Sequence, residues 1–255
     1  MLQRIIQYRF MFEELVKRDF TKKYKRTILG MGWSILSPLM NLIIMWLVFS
    51  NFFGNNVNHY VIYLFSGQLV FSFFTDATNL GMTSLVDNAP IFTKIEVPKV
   101  LFLLSQNVSS LINFSLTLVL FFLFAAIDHV PFTWRFLLLI FPVVCLILFN
   151  TGVGLVLSAM FVFFRDMKYL WGIMTQFVMW VSAIFYTVDS FGETAQRLFL
   201  FNPLYVFIRY FRSIVIYSAV PPVWFHVLCA AYALTAMAAG IFMYRKYNHE
   251  FLYYV

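Results

Sequence analysis

Charge is what this chain most conspicuously lacks. No Lys, Arg, Asp or Glu occurs from Thr27 to Thr75, and charged residues make up 11% of its 255 positions. A soluble domain carries about 25%. So little charge cannot cover a water-facing surface, which excludes a soluble globular protein. Cysteine is scarce as well: Cys145 and Cys229 each sit inside an apolar run. They read as space-filling thiols, not as a disulfide framework. The four histidines, His59, His129, His226 and His249, are far apart, and neither HExxH nor CxxC occurs. No metal site is expected. GxxxxGK[ST] is missing too, so this chain does not itself cradle ATP phosphates. Carboxylates inside the apolar runs are nearly absent, which argues against an ion-coupled pump.

What is present is hydrophobic (62%) and aromatic (21%). The chain is organised around Lys17 to Pro38. Lys17, Arg18, Lys22, Lys23, Lys25 and Arg26 crowd its first half, and then charge stops. That is a passage from a basic, water-facing surface into hydrocarbon. Residues 1–27 form a first segment, in which Leu2, Ile5, Ile6, Phe10, Leu15, Val16 and Phe20 are interspersed with charges. The pattern suits a helix lying in the membrane interface, or simply a basic flank. The apolar run that follows outlasts a signal-peptide h-region, so the first span is expected to be retained.

Residues 28–255 read as one six-span all-α membrane domain. Spans are expected at about 33–53, 60–80, 100–127, 136–161, 170–188 and 223–244. Pro38 is expected to kink the first turns of span 1. Pro90 and Pro98 break up 81–99, which reads as short helical pieces on the membrane surface. Gly152 and Gly154 in span 4 would permit close helix contact. Segment 189–222 contains the uncharged run Leu198–Ile208, split by Asn202-Pro203. It is too short to cross a bilayer straight, and reads as a surface helix or as a re-entrant pair.

Orientation follows from the charges. With six spans and a cytoplasmic N-terminus, the cytoplasmic segments hold 14 of the 18 Lys and Arg residues, and Arg135, Arg197, Arg209 and Arg212 lie outside. This bias places both termini in the cytoplasm. Asp76 then lies on the opposite face from Asp128 and Asp189, so these carboxylates cannot form an acid–base pair. A transporter with an external energy source is the simpler reading than an enzyme. Its path is expected to be aromatic: Trp46, Phe49 and Phe53 from span 1, Phe71 and Phe74 from span 2, Phe177, Trp180 and Tyr186 from span 5. Aromatic faces stack on the apolar faces of sugar rings while polar edges hold hydroxyls.

One combination of features is more specific. Arg18-Asp19 is followed by Lys23-Tyr24-Lys25, then Leu29-Gly30, Trp33 and Pro38. Later come Phe163-Phe164-Arg165-Asp166 after span 4, Tyr186 late in span 5, and Asn202-Pro203 before span 6. In this order on a six-span chain, they resemble the ABC-2 type permeases that export polysaccharides: the O-antigen, capsule and teichoic acid exporter subunits. The resemblance implies a permease in the bacterial inner membrane that pairs with a second copy of itself and with two soluble ATP-binding-cassette subunits. ATP and magnesium are then bound by those subunits, and this chain holds no cofactor. Nucleic acid is not an expected partner.

The implied substrate is a glycan on undecaprenyl diphosphate, O-antigen-like. Teichoic acid, capsule, or a drug or other lipid stand as alternatives. Arg18, Lys22, Lys25 and Arg26 match the region where the diphosphate enters; as a plain topology signal, the same cluster would need no ligand. The 81–99 loop resembles the ATPase-coupling loop, which makes Asp87, Phe92, Lys94 and Glu96 candidate docking residues. Arg165 and Asp166 would tether loop to loop or loop to ATPase. The short loop between spans 1 and 2 departs from transporters that carry an outer domain there.

Overall fold

A computed structural model describes residues 8–25, 27–54, 57–189, 191–248 and 250–254. The described chain is all-α. Helix α1 (Arg9–Tyr24) is followed by a 3-10 turn (Gly30–Gly32) and α2 (Trp33–Phe53). Then come α3 (Tyr60–Asp87), a single-turn α4 (Ala89–Phe92) and α5 (Val100–Ile127). A 3-10 stretch (Trp134–Leu139) leads into α6 (Ile140–Phe163), and α7 is Met167–Val181. Helices α8 (Glu193–Phe199), α9 (Pro203–Val215), α10 (Val223–Tyr247) and a terminal turn α11 (Phe251–Tyr254) complete the chain. Among the described residues, five helical stretches are long and apolar enough to cross a membrane: 30–53, α3, α5, 134–163 and α10. The α8–α9 pair, bent by 104°, could add a sixth crossing or form a re-entrant loop.

Helix α3 is the centre. It is 28 residues long and lies between α5 and α6, with most of its length buried. It overruns the expected end at residue 80 by two turns, so the expected 81–99 loop shrinks to 88–99. Two contacts account for this. Gly81 does not interrupt the helix because α6 lies directly against it: a Cβ there would meet the Gly154 Cα at 3.2 Å. At the end, the Asn88 side chain donates to the Ser84 carbonyl at 2.8 Å and closes the last turn. Span 3 has the bounds expected, since Lys99 and Asp128 close its charge-free run. Pro38 lies inside α2, beyond its first turn, and α2 continues through it to Phe53.

The expected fifth span differs most. Helix α7 has 15 residues, about 22 Å of helix, short of a hydrocarbon core of about 30 Å. The chain leaves the helix at Ser182, and Ala183 takes a left-handed φ of 51°. Residues 182–185 are buried nonetheless. Their backbone is met by side chains from other helices. Tyr60 and Tyr63 donate their hydroxyls to the Phe185 and Tyr186 carbonyls at 2.9 and 2.7 Å. Arg212 donates to the Ala183 and Ile184 carbonyls at 2.8 and 2.9 Å. Irregular backbone at membrane depth is stable only when satisfied in this way.

Arg212 on α9 is almost entirely buried. It also donates to the Tyr63 carbonyl and Ser66 Oγ, and its guanidinium carbon lies 3.4 Å from the centre of the Tyr63 ring. Gly67 leaves room for it, since a Cβ there would come within 3.0 Å of Arg212 Nη2. The bend between α8 and α9 falls at Asn202-Pro203. The Asn202 side chain caps α9 by accepting from the Leu204 N–H at 3.0 Å, and Pro203 takes the first helical position.

Candidate functional site

Three helices each carry one row of polar residues at helical spacing. On α2 the row is Ser34, Ser37 and Asn41; on α3 it is Gln68, Ser72, Thr75 and Asp76; on α5 it is Ser110, Asn113 and Thr117. Spacings of three and four place each row on one helix face. The three rows converge on one cavity of about 650 Å³, which Trp33, Phe71, Phe73 and Phe114 also line. The cleft lies beside α1, with Lys23 at its mouth. The Lys23 ammonium is 2.7 Å from the Asp76 carboxylate, and both are partly exposed. Gln68 fastens α3 to α2 by donating to the Pro38 carbonyl at 3.2 Å. Ser34 Oγ, Gln68 Oε1 and Ser110 Oγ, on residues that line the cleft, are themselves buried and have no hydrogen-bond partner among the described residues.

The rows were visible in the sequence as spacing. Averaging hydropathy along each span hides them. The structure disperses the aromatics expected to line the path. Phe71 lines the cleft. Phe49 stacks on Phe185 at 4.5 Å between ring centres, Trp180 lies 5.4 Å from Phe185, and Phe53 lies 6.4 Å from Phe49. This cluster joins α2 to the chain after α7, at the end of the bundle away from α1. The Tyr186 hydroxyl turns back to the Trp180 carbonyl. Trp46 and Phe177 point outward. Phe74 is a core residue between Phe149 and Trp171.

The basic cluster divides in the same way. Arg18 is engaged within the protein: it donates to Asp19 Oδ1 at 2.6 Å and to Asn88 Oδ1 at 2.7 Å. Asp19 is buried, and its other oxygen accepts from Ser105 at 2.9 Å. Helix α1 is thereby docked against the start of α5 and the end of α3, and Leu15, one turn before Asp19, is buried in the same contact. Lys22 and Lys25 are exposed. Arg26 lies outside the described residues.

Beyond α3, Phe92 is buried against Phe102, and Lys99 lies over Phe92 and Phe251 while donating to the Asn248 carbonyl. Partial burial lowers the Lys99 pKa. Phe92 thus anchors the turn, while Asp87, Lys94 and Glu96 stand exposed around it with Ile95 half-exposed. Arg165 and Asp166 are exposed in the α6–α7 turn at the same end, the Arg165 guanidinium 5.3 Å over Phe161. This end is a polar rim on an apolar footing.

A family model described as ABC-2 type transporter matches residues 11–216. The O-antigen export system permease protein RfbA of Myxococcus xanthus is 25% identical, and the match covers 98% of this chain and 97% of that protein. A protein of the same description from Klebsiella pneumoniae is 23% identical over 94% of both chains. The family match runs from α1 to the end of α9 and so spans the cleft, the docked helix α1 and the bent pair. The chain belongs to the ABC-2 type transporter family, as a membrane-embedded transporter subunit.

Proposed function

We propose that this chain is the permease of an ATP-driven exporter that moves an undecaprenyl-diphosphate-linked polysaccharide, O-antigen-like, out of the cytoplasm. The observation that carries this reading is the end-to-end match to O-antigen export permeases. Two copies of the chain pair with two soluble ATP-binding-cassette subunits, which bind ATP and magnesium. Both termini face the cytoplasm, in line with the Lys and Arg bias. The rim formed by Asp87, Lys94, Glu96, Arg165 and Asp166 receives those subunits. Helices α2 and α7 support pairing, because both turn large apolar side chains outward, among them Ile43, Leu47, Ile173 and Phe177. Lys22 and Lys25, exposed beside the cleft mouth, attract the diphosphate; Arg18 holds α1 in place.

The test is reconstitution of the chain with its ATPase in vesicles. ATP-dependent movement of lipid-linked glycan is expected, with Lys22→Glu/Lys25→Glu slowing it while topology is unchanged. Transport of a drug or another lipid but of no lipid-linked glycan would overturn the reading.

A further inference from the structure

The chain between α3 and α5 is held only in part by its own backbone. After the turn Ala89–Phe92, the Lys94 and Ile95 N–H groups bond back to the Ile91 carbonyl, and residues 96–98 have no regular structure. Contacts from other segments fix it instead. Asn88 accepts from Arg18 on α1, and the Glu96 carbonyl accepts from the Tyr8 hydroxyl at 3.1 Å. At its far end, Lys99 reaches across to the last residues of the chain.

Lys99 is badly placed for its own helix. It is the N-cap residue of α5, at the end where free N–H groups disfavour a cation. A lysine that only marked the cytoplasmic side would lie open to water, as exposed Lys94 does. Lys99 instead donates to the carbonyl of Asn248, the C-cap of α10, where the last carbonyls favour a cation. Its ammonium lies 5.7 Å from the centre of the Phe92 ring and 5.5 Å from that of Phe251. Phe251, in the terminal turn α11, is fully buried. Its ring centre is 5.3 Å from that of Tyr244 on α10 and 6.1 Å from that of Phe163, the last residue of α6. Helices α6 and α10 are themselves in backbone contact at Gly152 and Gly240. Lys99 and Phe251 therefore join the Phe92 turn to the end of α6, two residues before Arg165.

The two halves of the rim come from different loops, Asp87, Lys94 and Glu96 from one and Arg165 and Asp166 from the other. We infer that Lys99 and Phe251 are positioning residues for the ATPase subunit: they brace the Phe92 turn against α6 and α10, and so fix the two halves of the rim relative to each other. Neither residue has to touch the ATPase. The inference rests on the docking role given to the rim under the proposed function.

The full-length chain in lipid nanodiscs is measured in two ways: affinity for the purified ATPase subunit, and amide hydrogen exchange of the chain alone. Lys99→Met keeps a flexible stem between the two rings and removes the charge. It is expected to weaken ATPase binding about tenfold, the effect of losing a charged hydrogen bond and its ring contacts. Exchange in 88–97 should quicken while the middles of α6 and α10 stay protected. Lys99→Arg keeps the cation and is expected to bind within about twofold of the parent. Phe251→Ala should act in the same direction as Lys99→Met. If the parent binds and Lys99→Met binds equally well, the positioning role is overturned and the exporter stands. Faster exchange throughout α6 and α10 in Lys99→Met also overturns it, since Lys99 would then be a general support of the fold. So does a Lys99→Arg protein that binds as weakly as Lys99→Met. A parent chain that binds no ATPase overturns the docking rim itself, and the positioning role falls with it.

Discussion

Two seams of the bundle are built on opposite principles. Between α6 and α10 the backbones touch. A Cβ on Gly152 would run into the Ala236 backbone, and one on Gly240 would lie 2.5 Å from the Gly152 oxygen. Between α2, α3 and α5 the helices stand apart around a polar cavity, and α2 buries only Ser34 and Leu42. Within a bilayer, apolar surface gains little from leaving lipid, so close van der Waals contact holds helices together. The first seam uses that fully. The second gives it up and keeps the space. The α6–α10 seam is closely packed, and α2 is loosely packed against the rest of its own chain.

Adding bulk should break the two seams unequally. Gly152→Leu forces backbone apart and is expected to cost about 3 kcal/mol or more, seen as loss of folded protein by size exclusion and thermal unfolding in detergent. Ser72→Leu places a similar volume in the cleft and should cost about 1 kcal/mol or less, since there is room for it. Equal losses would remove the distinction between the seams.

The clamp at Arg212 comes next. Arg212→Met keeps the stem but leaves the Ala183 and Ile184 carbonyls bare, at about 1–3 kcal/mol each. The expected sign is faster proteolysis or exchange in 182–189, because α9 no longer holds that chain, while the α6–α10 seam stays protected.

The smallest effects separate two carboxylates near α1. Asp19 is buried and bonded to Arg18 and Ser105, whereas Asp76 is partly exposed and bonded to Lys23. Asp19→Ala should cost about 2 kcal/mol and free α1 to limited proteolysis. Asp76→Ala should change thermal stability by about 1 kcal/mol or less, as an exposed ion pair does. A larger effect at Asp76 would show that the cleft mouth is not loosely held.

Much of the architecture was legible because the bilayer imposes it. Helix α5 runs between the charges that bound its apolar run, Lys99 and Asp128. The close approach read at Gly152 and Gly154 is there, one against α10 and the other against α3. The extension of α3 to Asp87 was not legible, because the helix end is decided by the Asn88 side chain and by α6 packing over Gly81. Nor was the early end of α7. A hydropathy run cannot reveal that Tyr60, Tyr63 and Arg212 will supply hydrogen bonds to unwound chain. In the candidate site, the aromatics read as one path belong to separate places: Phe74 to the core, Phe49 to an aromatic cluster, Phe71 to the cleft.

By itself the sequence determined that this is a multi-span helical membrane protein, where most spans run, and that a basic segment precedes the first of them. Those properties follow from the cost of bare charges and peptide groups in hydrocarbon, a cost each segment meets alone. The tertiary structure decided which polar residues meet. Ser34, Gln68 and Ser110 are isolated hydroxyl and amide side chains on three separate helices, and they become one cavity wall only when α2, α3 and α5 assemble. It also divided the basic cluster, because Arg18 finds Asn88 seventy residues away while Lys22 and Lys25 stay in water. Contact between distant segments depends on how the helix faces pack, and that is a property of the assembled bundle.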